Sequence, residues 1–282
     1  MIKRAFRTYQ GILAGKGVGR VPFVGGTVRG LATVTGMAAL GRWMLMRRPV
    51  DLGGFQLYLD PRSTSAPLLG KGFNKKEAAY ARSVLGPGDV AVDVGANIGF
   101  FTALFGSLVG PEGKVFTFEP VAANISILTR NLRLNELTNV VVEPSACGEA
   151  AASSGMQIGG NLSTARMESD GEKGGKGNGT GDITVVTIDS VLASDPRPVR
   201  FMKIDIEGFE LFALRGAEET LARSPDIELL VEYSETAFAQ FGYTGADLLA
   251  FFEARGFYAT DLRRDTPFEP QDGTVNVLFK RS

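Results

Sequence analysis

Val90-Ala91-Val92-Asp93-Val94-Gly95-Ala96-Asn97-Ile98-Gly99-Phe100-Phe101-Thr102 is the stretch that decides the fold. Small and β-branched apolar residues run from Val90 to Val94, glycines punctuate the next positions, and a helical pattern opens at about Ile98. This predicts a buried strand, a tight turn and a helix N-terminus. Such a turn suits a nucleotide: Gly95 and Gly99 let the backbone approach a ligand, and the first helical amides point into the same space with the positive end of the macrodipole. Downstream, a second apolar run, Lys114-Val115-Phe116-Thr117-Phe118, ends in Glu119-Pro120. An acidic residue closing the second strand of a βαβ unit is placed to accept hydrogen bonds from both hydroxyls of a ribose.

Two cofactor chemistries fit these elements, a nicotinamide dinucleotide or S-adenosylmethionine (SAM). The dinucleotide fingerprint needs a middle glycine so that the pyrophosphate can sit against the helix, and here that position is Asn97. SAM carries no phosphate, and its amino acid tail and sulfonium tolerate a polar side chain at the turn. The methyltransferase reading is therefore preferred to the dehydrogenase.

The chain has 282 residues, one cysteine (Cys147) and no histidine. A single cysteine forbids an intrachain disulfide and points to a reducing, cytoplasmic compartment. The absence of histidine excludes histidine general bases, histidine zinc sites and the usual hydrolase triads, so proton transfer falls to Asp, Glu, Lys, Tyr or water. Residues 1–50 hold nine Lys and Arg and no acid, leaving 21 of the 30 bases against all 31 acids in the remainder, a net of −10. An acidic catalytic part argues against a nucleic-acid substrate held through its phosphates.

Residues 1–50 read as a basic extension and 51–282 as the catalytic domain. The uncharged run Leu31 to Gly41 is too short for a membrane span, which needs roughly 20 residues. Arg29 interrupts the apolar region and no cleavage site follows, which speaks against a secretory signal. The extension is expected to pack as a helix on the core; the alternative is a basic amphipathic helix resting on the inner face of an anionic membrane. Phe55 to Leu59 alternates and predicts a strand of an N-terminal hairpin; Asn74 to Leu85 predicts a helix, with Glu77 expected on its solvated face rather than over the cofactor.

Ala122 to Asn135 predicts a helix and Val140 to Val142 a buried strand, which brings Ser145 and Ala146 to the same sheet edge, where adenine would lie. Cys147 reads as a small buried apolar residue. Residues 150–182 form a Gly-rich insertion, with Gly171 to Gly181 expected as a mobile loop. Gly159 to Ser163 is either a substrate-facing strip or an ordinary surface insertion. A further strand, Ile183 to Ile188, leads to Arg200-Phe201-Met202-Lys203-Ile204-Asp205-Ile206-Glu207-Gly208-Phe209-Glu210. Alternation over Phe201 to Ile206 predicts a strand with Asp205 at its carboxyl end, followed by a helix from Gly208 to Leu221.

Asp205 and Glu207, two apart at the crevice mouth, are the candidate catalytic residues; the bland alternative is a helix N-cap with a first-turn acid. Glu210 supports the helix through its dipole. Ile227 to Val231, Tyr258 to Leu262 and Val275 to Lys280 complete the sheet, and Thr244 to Arg255 is an amphipathic helix closed by Gly256. Glu232 adds a third carboxylate to the edge; three oxygens would suit magnesium, but no spacing demands a metal.

Asp93-Val94-Gly95-Ala96-Asn97-Ile98-Gly99, Phe118-Glu119-Pro120, Lys203-Ile204-Asp205-Ile206-Glu207-Gly208-Phe209-Glu210 and Val277-Leu278-Phe279 together resemble the FkbM-type SAM-dependent methyltransferases, over roughly Phe55 to Phe279. The resemblance implies an α/β class I methyltransferase fold: a seven-stranded, mostly parallel, Rossmann-like sheet with a reversed last strand. It also implies O-methylation of a hydroxyl on a sugar or polyketide-like product. On the combined reading, Gly95, Ala96, Asn97 and Gly99 cradle the SAM amino acid tail and Asp93 braces the turn. Glu119, followed by Pro120, holds the ribose, Ser145 and Ala146 edge the adenine, and Asp205 takes the acceptor proton or holds the SAM amino group. The acceptor is expected to be a sugar, a glycolipid or another small hydroxyl compound. A nucleic-acid methyltransferase lacks its Asn/Asp-Pro-Pro-aromatic motif here, and a non-catalytic SAM-binding or membrane-attached protein is the remaining alternative.

Overall fold

β3 (Val90–Val94) is buried at every position, as a strand must be when it has a neighbour on each side and a layer on each face. The computed structural model describes residues 48–59, 74–158, 165–167 and 180–281. Before β3 come β1 (Val50–Asp51), β2 (Gln56–Leu57) and α1 (Lys75–Val84). After it come α2 (Phe100–Val109), β4 (Lys114–Phe118), α3 (Ala122–Leu134), β5 (Val140–Glu143) and β6 (Ala146–Cys147). The middle of the chain holds β7 (Ala152–Ile158), β8 (Ala165–Met167), β9 (Thr180–Val186), α4 (Ile188–Leu192), β10 (Phe201–Ile204), α5 (Glu210–Arg215) and α6 (Glu218–Arg223). The last elements are β11 (Glu228–Tyr233), α7 (Glu235–Phe238), a 3-10 turn (Ala239–Phe241), α8 (Gly245–Glu253), β12 (Phe257–Asp261), β13 (Thr266–Pro267) and β14 (Val275–Arg281).

The large sheet runs β13-β12-β14-β11-β10-β3-β4-β5. β3, β4, β5, β10 and β11 are parallel, and β14 is antiparallel to both β11 and β12. This is the expected class I sheet with its last strand reversed, extended at one edge by the short β13. Because β3 pairs with β4 on one side and β10 on the other, the chain leaves its neighbourhood in two directions, which opens a crevice at the carboxyl ends.

Strand periodicity divides the core. Val90, Val92, Val94, Met202, Ile204, Leu229 and Val231 pack on one face, with Leu211 and Leu214 of α5. Ala91, Phe201, Leu230 and Leu278 pack on the other, with Phe101, Leu104 and Phe105 of α2 and Ala81 of α1. The register pairs Asp93 with both Thr117 and Lys203, so a buried polar row crosses three strands beneath α2.

The N-terminal hairpin is present but short, β1 pairing antiparallel with β2. It is fastened by two side chains one turn apart, Asn131 of α3 and Asn135, which caps its C-terminus. Asn135 bonds both the N–H and the carbonyl of Gln56 at 2.7 Å, and Asn131 accepts from Tyr58 N at 2.7 Å. Of the basic extension, residues 1–47 lie outside the described residues. Among the described residues no helix is long and apolar enough to cross a membrane.

Two expectations are corrected. The helix foreseen from Gly208 to Leu221 is two helices, α5 and α6, broken at Gly216. A side chain at Gly216 would overlap the carbonyl oxygen of Gly148, while its own carbonyl accepts from Asp189 N at 2.9 Å, so a contact across the fold interrupts the helix. The insertion over 150–182 is flanked and threaded by strands: β7 pairs antiparallel with β8 and β9, and β6 joins β9 in parallel, giving a four-stranded sheet. Its backbone ladders are backed by the packing of Ala146, Ile183 and Val185 against Phe209 and Phe241. Gly159 to Ser163 and residues 171–179 of the expected loop lie outside the described residues.

Candidate active site

The turn after β3 is held by its neighbours. Gly95 N and Ala96 N donate to the Phe118 carbonyl at 3.0 and 3.1 Å, and Asp205 N donates to the Val94 carbonyl at 3.1 Å, joining the ends of β4, β3 and β10. Gly95 has φ +85°, and a side chain there would overlap the main-chain oxygen of Asp205. Gly99, at φ +90°, is crossed by the Leu128 side chain of α3. Both glycines thus serve the packing of the turn itself, before any ligand is considered.

Asn97 takes φ +52°, a left-handed conformation that Asn tolerates better than most residues. Its N–H donates to Glu119 Oε2 at 2.7 Å, which places the acid of β4 directly on the turn. Glu119 Oε1 accepts from Val121 N at 2.9 Å and from Asn124 Nδ2 at 3.2 Å. A carboxylate offers about four acceptor positions, so three are used and one remains on Oε2. Burial pushes the Glu119 carboxyl above its ordinary value, against the pull of these donors. Glu119 N in turn donates to the Glu143 carbonyl at 3.2 Å, and Ser145 Oγ donates to Glu143 Oε1 at 2.6 Å. The turn, Glu119 and Ser145 are thus linked in series through Glu143, and Ala146 follows in β6 of the four-stranded sheet. Cys147 is buried beside them, its thiol pushed up by burial.

Beneath the turn, Asp93 Oδ2 accepts from Thr102 Oγ1 at 2.5 Å, so the acid reaches α2 rather than the turn amides. Burial pushes the Asp93 carboxyl up, opposed by the Lys203 charge and the Thr102 hydroxyl. Among the described residues Asp93 Oδ1 and Asn97 Oδ1 are buried without a hydrogen-bond partner. Unsatisfied buried acceptors seek donors. They fit the ammonium and hydroxyl groups of a SAM-like ligand and would repel a pyrophosphate, so the residues present match SAM and disfavour a dinucleotide.

Lys203, which sequence reasoning passed over, is the cation of this edge. Its side chain is only 4% exposed, Nζ lies 2.9 Å from Asp205 Oδ2, and it stands 5.0 Å from the Phe101 ring centroid. Burial works against its charge, but the carboxylates of Asp205, Asp93 and Glu232 outweigh it and raise the ammonium above its ordinary value. A lysine inside the otherwise apolar run Phe201 to Ile204 was the available signal.

Past Asp205 the chain turns sharply: Glu207 has φ +58° and Gly208 φ +110°. Glu210 holds this turn, Oε1 accepting from Ile206 N at 3.0 Å and Gly208 N at 3.2 Å, while Tyr243 OH donates to Oε2 at 3.3 Å. Its role is a direct side-chain latch as well as the dipole complement expected of it. Burial pushes its carboxyl up to about 7.

A cavity of about 460 Å³ opens beside Asp205. Its wall includes Glu77, Asp205, Glu232 and Asn276, with Lys75, Lys76 and Arg263 also lining it. Glu77 is buried and accepts from Asn276 Nδ2 at 3.3 Å, which corrects its expected place on a solvated face: β14 covers that side of α1. Glu207 is not in this wall. Among the described residues, no group of three or more His, Cys, Asp or Glu side chains is arranged to hold a metal ion.

The sequence model of the Methyltransferase FkbM domain matches residues 93–258, the span from the acid beneath the turn to β12. A relative called Methyltransferase 1, from Beauveria bassiana (strain ARSEF 2860), is 28% identical over 145 residues, 45% of this chain and 58% of its own length. That match spans less than two thirds of the relative. Among solved structures, an rRNA methylase from Streptococcus thermophilus has a TM-score of 0.45 at 13% identity, covering 73% of this chain and 93% of that one. TYW2 of M. jannaschii, solved with AdoMet, has a TM-score of 0.44 at 14% identity, covering 84% and 87%. With the FkbM domain spanning more than half of its residues, the chain belongs to the FkbM methyltransferases, whose methyl donor is SAM.

Proposed function

We propose that this protein transfers a methyl group from SAM to a hydroxyl oxygen of a sugar, glycolipid or other small polyhydroxyl acceptor. The observation that carries the acceptor class is the cavity beside Asp205, whose wall of Glu77, Asp205, Glu232 and Asn276 is rich in acceptors for hydroxyl donors. A bulky nucleic acid is disfavoured by the acidic balance of residues 51–282.

When bound, SAM supplies an electrophilic methyl carbon on a positively charged sulfur. The backbone from Gly95 to Gly99, with Asn97 Oδ1 and the buried Asp93 behind it, would hold the amino acid end. Glu119 would accept from ribose with the position its three protein donors leave over, and Ser145 and Ala146 would border adenine. Asp205, anchored through Oδ2 by Lys203, keeps Oδ1 for a ligand donor. Glu207, in the adjoining turn, adds negative charge next to a cationic sulfur. The protein's contribution is chiefly alignment, which brings acceptor oxygen and methyl carbon to about 3 Å.

The test is incubation of the purified chain with methyl-labelled SAM and fractionated glycans, lipids and small metabolites. Label in a hydroxyl-bearing fraction as an alkali-stable methyl ether supports the reading. Label in RNA alone overturns it, and calorimetric SAM binding without any labelled product would mark a non-catalytic SAM-binding protein. We also propose a cytoplasmic location, with the basic residues 1–50 making peripheral contact with an anionic membrane face. Sedimentation of the full chain with anionic liposomes at low salt tests that contact.

A further inference from the structure

The carboxylates on the cavity wall are not equivalent. Asp205 Oδ2 is already engaged by the buried Lys203 ammonium at 2.9 Å. Glu232 stands on the neighbouring strand. Ile204 pairs with Val231 in the parallel register, so the next residues, Asp205 and Glu232, lie side by side at the carboxyl edge. On its other side Glu232 pairs with Asn276, whose amide is turned to Glu77. Glu232 is partly buried, lines the cavity, and has no hydrogen-bond or ion-pair partner among the described residues.

We propose that Glu232 is the catalytic base of this site, taking the proton of the acceptor hydroxyl, while Lys203 reserves Asp205 for positioning. The proposal rests on the methyl-transfer reading above. In the step, the acceptor O–H bond breaks and its proton goes to a Glu232 oxygen. The electron pair left on the acceptor oxygen forms the new bond to the methyl carbon, and the pair of the broken carbon–sulfur bond stays on sulfur.

The surroundings support the assignment. Burial, then the charges of Asp205, Glu210 and Glu207, raise the Glu232 carboxyl well above its ordinary value, with Lys203 opposing. Facing it across the cavity are Glu77, Lys75 and Lys76 of α1 and Arg263 beyond β12. A carboxylate whose proton affinity is raised binds the departing proton more tightly than one at its ordinary value.

Three variants of the full chain test this: Glu232→Gln, Glu232→Asp and Asp205→Asn. The first readout needs no turnover: carbon-13 NMR titration of side-chain-labelled glutamate in the free enzyme. A signal titrating well above the ordinary carboxylate range and missing from E232Q supports the proposal. A Glu232 signal titrating in the ordinary range overturns it. With the label-accepting fraction, E232Q should lose about 100-fold or more in kcat and the acidic limb of the pH profile. E232D should recover part of the rate, and SAM affinity should stay within about threefold in both, whereas D205N should raise KM or SAM Kd more than it lowers kcat. E232Q turning over at the wild-type rate overturns the proposal and leaves the methyl-transfer reading intact. Absence of SAM binding to the wild-type chain overturns both.

Discussion

The main-chain amide of Asn97 donates to Glu119 Oε2 at 2.7 Å, so the acid that ends β4 is a structural part of the turn that ends β3. Glu119→Ala would leave the main-chain donors of Asn97 and Val121 without their acceptor and take one partner from Asn124. Each buried orphan costs about 1–3 kcal/mol, and partial access of water brings the expected loss to roughly 3 kcal/mol. Urea denaturation should show that loss, and calorimetry should show SAM affinity falling with it. A variant with native stability and native SAM affinity would remove Glu119 from both roles.

The two glycines of the turn should respond differently to alanine. At Gly95 the new methyl group meets a main-chain oxygen, that of Asp205, which cannot retreat without separating β3 from β10. At Gly99 it meets the end of the Leu128 side chain, which can repack. Overpacking of that kind costs about 1–3 kcal/mol. Gly99→Ala should therefore yield a folded, weakened protein, and Gly95→Ala one that fails to bind SAM or to fold. Thermal melts and SAM titration of the two side by side would check the order.

Glu210 gives stability a pH dependence. Its carboxyl lies near 7 in the folded chain and near 4.5 when unfolded, so between these values the folded state holds the extra proton. Stability contributed by that proton is present below pH 4.5 and lost as pH rises toward 7, in total on the order of 3 kcal/mol. Glu210→Gln keeps an acceptor for Ile206 N and Gly208 N while removing the titration. Urea midpoints compared across this range should converge at low pH, with the variant gaining on the wild type as pH rises.

Lys203→Met removes the cation but keeps the packing against Phe101. Asp93, fully buried, then loses its counter-charge, while Asp205, whose side chain is 37% exposed, recovers some solvation from water. The expected cost is about 1–3 kcal/mol, below the 3–5 kcal/mol usual when one member of a buried pair is removed. Denaturation curves of K203M and the K203M/D205N double variant would measure the coupling.

Local pattern was enough where a residue's role depends on its own segment. The run Val90 to Val94, the amphipathic stretch Thr244 to Arg255 that becomes α8, and the stretch Phe201 to Ile206 that supplies β10 each declare their element within a few positions. The rest depends on encounters across the chain. Glu77 is covered by Asn276, 199 residues later, and a helical face cannot reveal a lid that distant. The break at Gly216 comes from Gly148, and nothing in Leu214-Arg215-Gly216-Ala217 distinguishes it from a tolerated glycine. Lys203 and Asp205 stand two apart in the sequence, but their pairing has meaning only because the strand is enclosed. Which carboxylate is tied and which is available needed the third dimension.

β14 reaches the sheet after every other strand, yet it settles between β11 and β12 rather than outside them. Until Val275–Arg281 leaves the ribosome, two ladder edges stand open in the nascent chain, and the lid over Glu77 is missing. The cavity beside Asp205 thus waits for this segment, so a polypeptide stopped short of it would present sticky strands without that cavity.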